Sequence, residues 1–231
     1  MVPSNAIQRT FRIAYGDSAA TCFTLDVDGR QYIVTARHVV PNAADTLLVR
    51  VHYNRQWQDL QCQVVGLATG EVDIAVLAPP HQLSPAHIFE PTTREMYLSQ
   101  DAYFLGFPYG LHSEVGEING NFPLPLVKKA CVSMLAFGVA ETKLMLLDGH
   151  NNPGFSGGPV VYAPPSQLAA TRVAGVISGY HHHWESVYLG DDKTDLKYKY
   201  NTGIIVVYSI DYAIELIRAN PIGAPLGDAN V

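Results

Sequence analysis

The chain has 231 residues, of which 48% are hydrophobic and only 16% charged, with a formal net charge of −6. That length allows one all-β domain or two small ones, with roughly 70% of the unfolded chain's surface buried on folding. The negative balance argues against a nucleic-acid binder, which would present a basic face, and the strongest basic runs, Lys128-Lys129 and Lys197-Tyr198-Lys199, are what a solvated strand carries.

The N-terminal stretch "MVPSNAIQRTFRIAYG" has no apolar segment of the signal-peptide kind, and no run of 18 apolar residues occurs anywhere. Cys22, Cys62 and Cys131 are an odd number at wide spacings, which implies neither a disulfide framework nor a metal-ligand set. They read as small hydrophobes. The expectation is a soluble protein of a reducing compartment, cytoplasmic, with no membrane or nucleic-acid partner and no cofactor.

Short apolar runs rich in Val, Ile, Tyr and Thr then recur, separated by Gly, Pro, Asn and Asp, the pattern of many short strands in a sandwich or barrel. In "TCFTLDVDGRQYIVTA", Phe23, Leu25 and Val27 alternate with Cys22, Thr24 and Asp26. Asp28-Gly29 supplies a tight hairpin turn, and Gln31 to Ala36 runs back. Further strands are expected at Thr46–Tyr53, Leu60–Leu67 and Asp73–Ala78. The proline-rich segment 78–96 reads as a crossing between two halves of roughly 95 and 135 residues, set at 1–93 and 94–231. The second half offers strands at Tyr103–Phe107, Val127–Ser133, Lys143–Leu147, Val160–Tyr162, Val173–Ser178 and Gly203–Tyr208. A C-terminal helix over 209–219 follows, capped by Ser209, with Asp211 in its first turn and Asn220-Pro221 ending it. Its apolar face, Ile210, Ala213, Ile214 and Ile217, is expected to pack on the second half.

Chemistry enters with "NNPGFSGGPVV", Asn151 to Val161, where glycines and prolines surround Ser156. A turn and a nucleophile cradle ask for the same residues, so this loop alone leaves both readings open. A serine hydroxyl needs a base to take its proton, and that base needs a group to hold its tautomer. His38 directly follows the apolar strand of "QYIVTARHVV". Asp73 opens the apolar run of "GEVDIAVLAPP", where a charge is costly unless it is paired. The pattern G-x-S-x-G also fits residues 154–158, but the α/β-hydrolase order of serine, acid, histidine is not available. The only histidines after Ser156 are His181, His182 and His183, and no Asp or Glu occurs between residues 157 and 180.

"VTARHVV", "VDIAVL" and "NPGFSGGPVV", in that order and 35 (73 − 38) and 83 (156 − 73) residues apart, resemble the signature segments of the chymotrypsin-fold, trypsin-like serine peptidases. The likeness is greatest to the bacterial HtrA-like, disulfide-poor branch. "VAGVISGY" is similar to the family's cleft-lining strand, and "NTGIIVVYSIDYAIELI" to its last strand and closing helix. The resemblance implies an all-β fold of two packed six-stranded Greek-key barrels with a C-terminal helix, and a serine endopeptidase acting on protein or peptide substrates. It implies His38 as general base, Asp73 as its partner and Ser156 as nucleophile. The oxyanion hole would draw on the backbone N–H groups of Gly154, Phe155 and Ser156. Ser178 would face Asp73, and Ser178, Gly179 and Tyr180 would pair with the substrate backbone. The same fold also serves as a binding module that is catalytically silent or waits for a partner.

The sequence departs from the family in several places. Phe155 stands where digestive-type members carry an aspartate and HtrA-like members usually an asparagine, so activation by a new N-terminus is not expected. Val39 follows His38 where many secreted relatives have a half-cystine. In "HHHWE", His181, His183 and Glu185 would share one side of a strand and suit zinc, or else belong to a polar loop rimming the cleft and tune its pH response. For specificity, Asp148 would favour a basic residue, whereas Ile177 and Tyr180 favour a medium-sized apolar one, the preferred expectation.

Overall fold

A computed structural model of the chain describes residues 2–41, 44–137 and 142–227. After a short helix, α1 (Ser4–Ile7), come the strands β1 (Thr10–Tyr15), β2 (Ser18–Val27), β3 (Arg30–Thr35), β4 (Thr46–Tyr53), β5 (Gln56–Leu67) and β6 (Ala75–Ala78). They pair in the order β3-β2-β1-β4-β5-β6, and β6 returns to β3, so the sheet closes into a barrel. Asp28 and Gly29 both have positive φ, +49° and +74°, the geometry of a two-residue hairpin turn. In β4, Leu47, Val49 and Val51 point inward and Thr46, Leu48 and Arg50 outward. His52 breaks this alternation, being buried although it follows the inward Val51.

The second sheet comprises β7 (Glu90–Pro91), β8 (Asp101–Gly106), β9 (Leu126–Ala136), β10 (Leu144–Asp148), β11 (Pro159–Tyr162), β12 (Arg172–Leu189) and β13 (Asp192–Ser209). The order β11-β8-β9-β10-β13-β12 closes through a β11–β12 pairing into a second six-stranded barrel. Each barrel has its own apolar filling, Phe11, Ile33, Val49 and Leu77 in the first, Phe104, Met145, Phe155 and Val207 in the second. A third cluster joins Phe23, Val34 and Val76 to Leu105, Val161 and Val176, so the two barrels share a core between them. The crossing segment 78–96 is irregular apart from β7. It is held by polar side chains: Gln31 Oε1 accepts the N–H groups of Leu83 and Ser84 at 2.7 and 3.0 Å. Arg9, wholly buried and paired with Asp26, donates to the His87 carbonyl at 2.6 Å.

Three expectations need correction. The closing helix, α2 (Asp211–Ala219), starts two residues later than expected. Ile210 is its cap, because the Ile210 N–H is still bonded to the Ala174 carbonyl of β12 at 2.9 Å. Ser209 Oγ accepts the Asp211 N–H at 3.3 Å from one position further out. Second, α2 packs on β5 and β6 of the first barrel. Leu216 lies over Gly66, where a Cβ would collide with it, and Asn220 donates to the Val65 carbonyl at 3.1 Å. The last strand, β14 (Ala224–Pro225), also joins the first sheet, beside β3. Third, the strands expected to end at Ser178 and begin at Gly203 are much longer, and His181 to Glu185, offered as strand or loop, are strand. β12 and β13 run on together as a hairpin far past the barrel, exposed from His181 to Glu185 and fixed by its own ladder. No helix among the described residues is long and apolar enough to cross a membrane. All three cysteines are free; Cys22 and Cys62 are buried, and burial pushes both thiols up, Cys62 to about 12.

Candidate active site

His38 sits in a single 3-10 turn, Arg37–Val39, at the point where β3 leaves the first barrel. Arg37 anchors that turn by donating to the Ala68 and Gly70 carbonyls at 2.6 and 2.9 Å. The loop between Gly70 and β6 carries Asp73 to the same place. The His38 backbone N–H donates to Asp73 Oδ1 at 2.8 Å, and His38 Nδ1 lies 2.6 Å from Asp73 Oδ2. A carboxylate only accepts, so Nδ1 carries the ring proton and Nε2 is left with its lone pair. Ser178 Oγ donates to Asp73 Oδ2 at 2.7 Å. Burial works against the Asp73 charge, but the bonds from the His38 ring and Ser178 outweigh it and hold the carboxyl below its ordinary range. The imidazole itself is open to solvent, its side chain 53% exposed against 13% for Asp73.

Ser156 reaches this cluster from the second barrel. Its hydroxyl donates to the Ser178 carbonyl at 3.0 Å, so Ser178 touches both Asp73 and Ser156. Among the described residues no hydrogen bond joins Ser156 directly to His38. The loop around Ser156 is clamped on both sides. Thr21 of β2 donates its N–H to the Ser156 carbonyl at 2.9 Å and its hydroxyl to the Gly154 carbonyl at 2.7 Å. The Tyr109 N–H takes the Pro153 carbonyl at 3.1 Å. Gly157 has φ +82°, and a Cβ there would overlap the Thr21 carbonyl and the Thr35 hydroxyl, so only glycine fits. Gly154, at φ +107°, lies against the Phe107 carbonyl, 2.7 Å from where its Cβ would stand.

These contacts decide which way the peptide groups face. The Pro153 and Phe155 carbonyls are turned to the Tyr109 and Gly158 N–H groups, at 3.1 and 2.8 Å, and the Gly154 and Ser156 N–H groups of the same two peptides have no partner among the described residues. Phe155 was also expected among the donors, but its N–H is bonded to the Asn152 carbonyl at 3.3 Å. The Phe155 ring is fully buried, edge-on to Phe104 with centroids 4.9 Å apart. Lys128, a residue that reads in the sequence as part of a solvated strand, bonds the His150 carbonyl and Asn152 Oδ1 and lies 5.9 Å from the centre of that ring. Burial lowers its pKa. Thr21 and Lys128 were missed because no spacing or motif links them to the serine; only the closed barrels bring them there.

Ser178, Gly179 and Tyr180 lie where β12 leaves β11. β11 pairs with β12 only as far as Pro159 opposite Val176, and the Gly157 and Gly158 backbone then bonds Ile177. Beyond Ile177, β12 is paired on its β13 side alone, with a register shift between Ile177 and Gly179. The three residues are half-buried and form a sheet edge next to Ser156. Asp148, by contrast, is exposed on β10. The His181 and His182 rings stack at 6.5 Å, His183 meets Tyr200, and Glu185 accepts from the Tyr198 hydroxyl at 3.0 Å, so their donor atoms are spread over the hairpin.

Two closed barrels with a histidine–carboxylate pair beside a serine on a tight glycine loop define the chymotrypsin-type double-barrel class. The chain matches the trypsin-like peptidase domain over residues 20–164 and belongs to that family. Among solved structures it is similar to the HtrA-type protease AlgW with tripeptide, at a TM-score of 0.60 and 20% identity, over 94% of this chain and 61% of that one. It is also similar to the inactive form of Rv3671c from M. tuberculosis H37Rv, at a TM-score of 0.58 and 19% identity, over 97% and 93% of the two chains. The chain thus spans about three-fifths of the AlgW chain. No curated protein matches it by sequence.

Proposed function

We propose that the chain is a serine endopeptidase whose cleft lies between two lobes, drawn mainly from residues 1–93 and 94–231, with α2 and β14 returning to the first. Ser156 Oγ attacks the scissile carbonyl while His38 Nε2 takes its proton. Asp73 holds the ring by its Nδ1–H and offsets the positive charge that forms. The carbonyl oxygen, now negative, is received by the Gly154 and Ser156 N–H groups, a contribution that typically amounts to about 100- to 1000-fold in rate per donor. His38 returns the proton to the leaving amine, and water then hydrolyses the acyl-enzyme by the same route. The substrate backbone adds as a strand along Ser178–Tyr180, as a protein or peptide would and as the likeness to AlgW with tripeptide suggests. The observation that carries this reading is the His38–Asp73–Ser178 network beside a serine whose loop leaves two N–H groups without a partner among the described residues. Incubated with a denatured protein, the wild type should release peptides and Ser156→Ala should release none; equal cleavage by both would overturn the proposal.

Because Phe155 anchors the loop by burial, no newly cut N-terminus is required. The active form should keep the N-terminus with which it is made, and activity appearing only after trimming would contradict this. A second reading, a module switched on by substrate or partner, is favoured by one observation: the Ser156 hydroxyl is given to the Ser178 carbonyl and must rotate to reach His38. Labelling of Ser156 that needs an added peptide supports the second reading; labelling without it supports the first.

A further inference from the structure

The buried His52 meets two other side chains across the gap between barrels. His112 and Glu114 lie on the segment after β8, fixed there by a bridge in which Ser113 and Leu124 exchange backbone hydrogen bonds at 2.8 and 3.2 Å. His112 Nδ1 is 2.9 Å from the Gly110 carbonyl. A carbonyl only accepts, so Nδ1 bears a proton, and the neutral ring presents its Nε2 lone pair. That Nε2 is 3.2 Å from Glu114 Oε1, and His52 Nδ1 is 3.7 Å from the same oxygen. The donor atoms of all three side chains lie within 4.8 Å of one another.

This is an expensive arrangement as it stands. His52 Nδ1 and Glu114 Oε1 are both buried with no hydrogen-bond partner, and the His52 side chain is nine-tenths buried. The donor atoms of the three side chains converge on one point, and a cation there would satisfy both buried atoms. The nearest fixed cation does not supply it. Arg12 stacks on Trp57, 4.9 Å from its ring centre, and forms no ion pair with Glu114 among the described residues. The separations suit a metal instead: bonds of about 2.1 Å in a tetrahedron place ligand atoms about 3.4 Å apart, between the two observed distances.

We propose that His52 Nδ1, His112 Nε2 and Glu114 Oε1 form a zinc site. Two imidazoles and one carboxylate are a borderline-soft set that suits Zn²⁺ and not Mg²⁺ or Ca²⁺, and three protein ligands leave one tetrahedral position for a non-protein ligand. The Gly110 carbonyl is the outer partner that fixes the His112 tautomer. The metal would pin β4 of the first barrel to segment 107–114, whose Tyr109 N–H and Phe107 carbonyl border the Ser156 loop. It would act as a clasp between barrels. The proposal does not depend on the peptidase reading.

The test uses the full chain, stripped with chelator and titrated with Zn²⁺ alone by calorimetry. Wild type should bind one zinc per chain. At a hundredfold excess over Kd its Tm should rise by about 5–10 °C. His112→Gln and Glu114→Gln, checked as folded by circular dichroism, should lose more than about 100-fold in affinity, since even outer partners of a site are worth about 10- to 100-fold. Should either variant fail to fold, the d–d bands of cobalt bound to wild type decide, since tetrahedral nitrogen–oxygen ligation is required. A His181→Ala, His183→Ala, Glu185→Gln variant should bind as wild type does. Absence of binding to wild type, binding unchanged in a folded His112→Gln, or binding lost with the hairpin residues would each overturn the assignment.

Discussion

The loop that carries Ser156 and the hairpin that carries His181 to His183 stand at opposite extremes. The loop is irregular, yet every turn of it is pressed against backbone from other elements, Thr21 on one side and Phe107 to Tyr109 on the other. The hairpin is a continuous ladder broken only by register shifts after Tyr180 and Ser186, yet from His181 to Glu185 it touches little but itself. What separates the two segments is packing against other elements and not regular pairing. The difference fits the proposed role of the Ser156 loop, which would hold two N–H groups in place before the reaction.

Substitutions should sort along that contrast. Gly157→Ala puts a methyl group into the Thr21 carbonyl at a positive φ, and should cost more than about 4 kcal/mol, seen as a lost or greatly lowered urea midpoint; a midpoint near wild type would break the comparison. Phe155→Ala empties a fully buried ring site and should cost about 3–5 kcal/mol, with peptidase activity falling further than stability at temperatures where the variant is folded. Ser178→Ala removes a hydrogen bond to the Asp73 carboxylate, about 1.5–3 kcal/mol at neutral pH. Here the sign can be checked. The folded pKa of Asp73 is depressed, so its contribution is complete above the ordinary carboxylate range and drains away as pH falls through the folded value. The gap between wild type and Ser178→Ala should therefore narrow in acid, and unfolding curves in which it widens would contradict the assignment. Replacing His181, His182 and His183 together by alanine should change stability by no more than about 0.5 kcal/mol.

Much of this was legible in the sequence because burial writes a period. Thr46–Tyr53 was read with its observed limits, since one face of β4 is core and the other solvent. Asp28-Gly29 announced its turn by chemistry alone. His38 and Asp73 stood out because one follows and the other opens an apolar run, and Ser156 because glycines and prolines surround it. The far hairpin was not legible: both faces are wet from His181 onward, so no alternation marks it as strand. α2 carries a good amphipathic stripe, but a stripe does not name the barrel it will lie on, and Gly66, which makes room for Leu216, has no local signature. His52, His112 and Glu114 come together through the closure of the barrels and a bridge at Ser113, none of which a spacing rule records.

The central claim is that Ser156 is a nucleophile activated by His38 on a loop already formed. A fluorophosphonate probe tests it most directly, applied to folded wild type, Ser156→Ala and His38→Ala and read by intact mass and peptide mapping. The account predicts a single adduct on Ser156 in wild type and none in either variant. An adduct that survives Ser156→Ala, or folded wild type that stays unlabelled with and without added peptide, would contradict it.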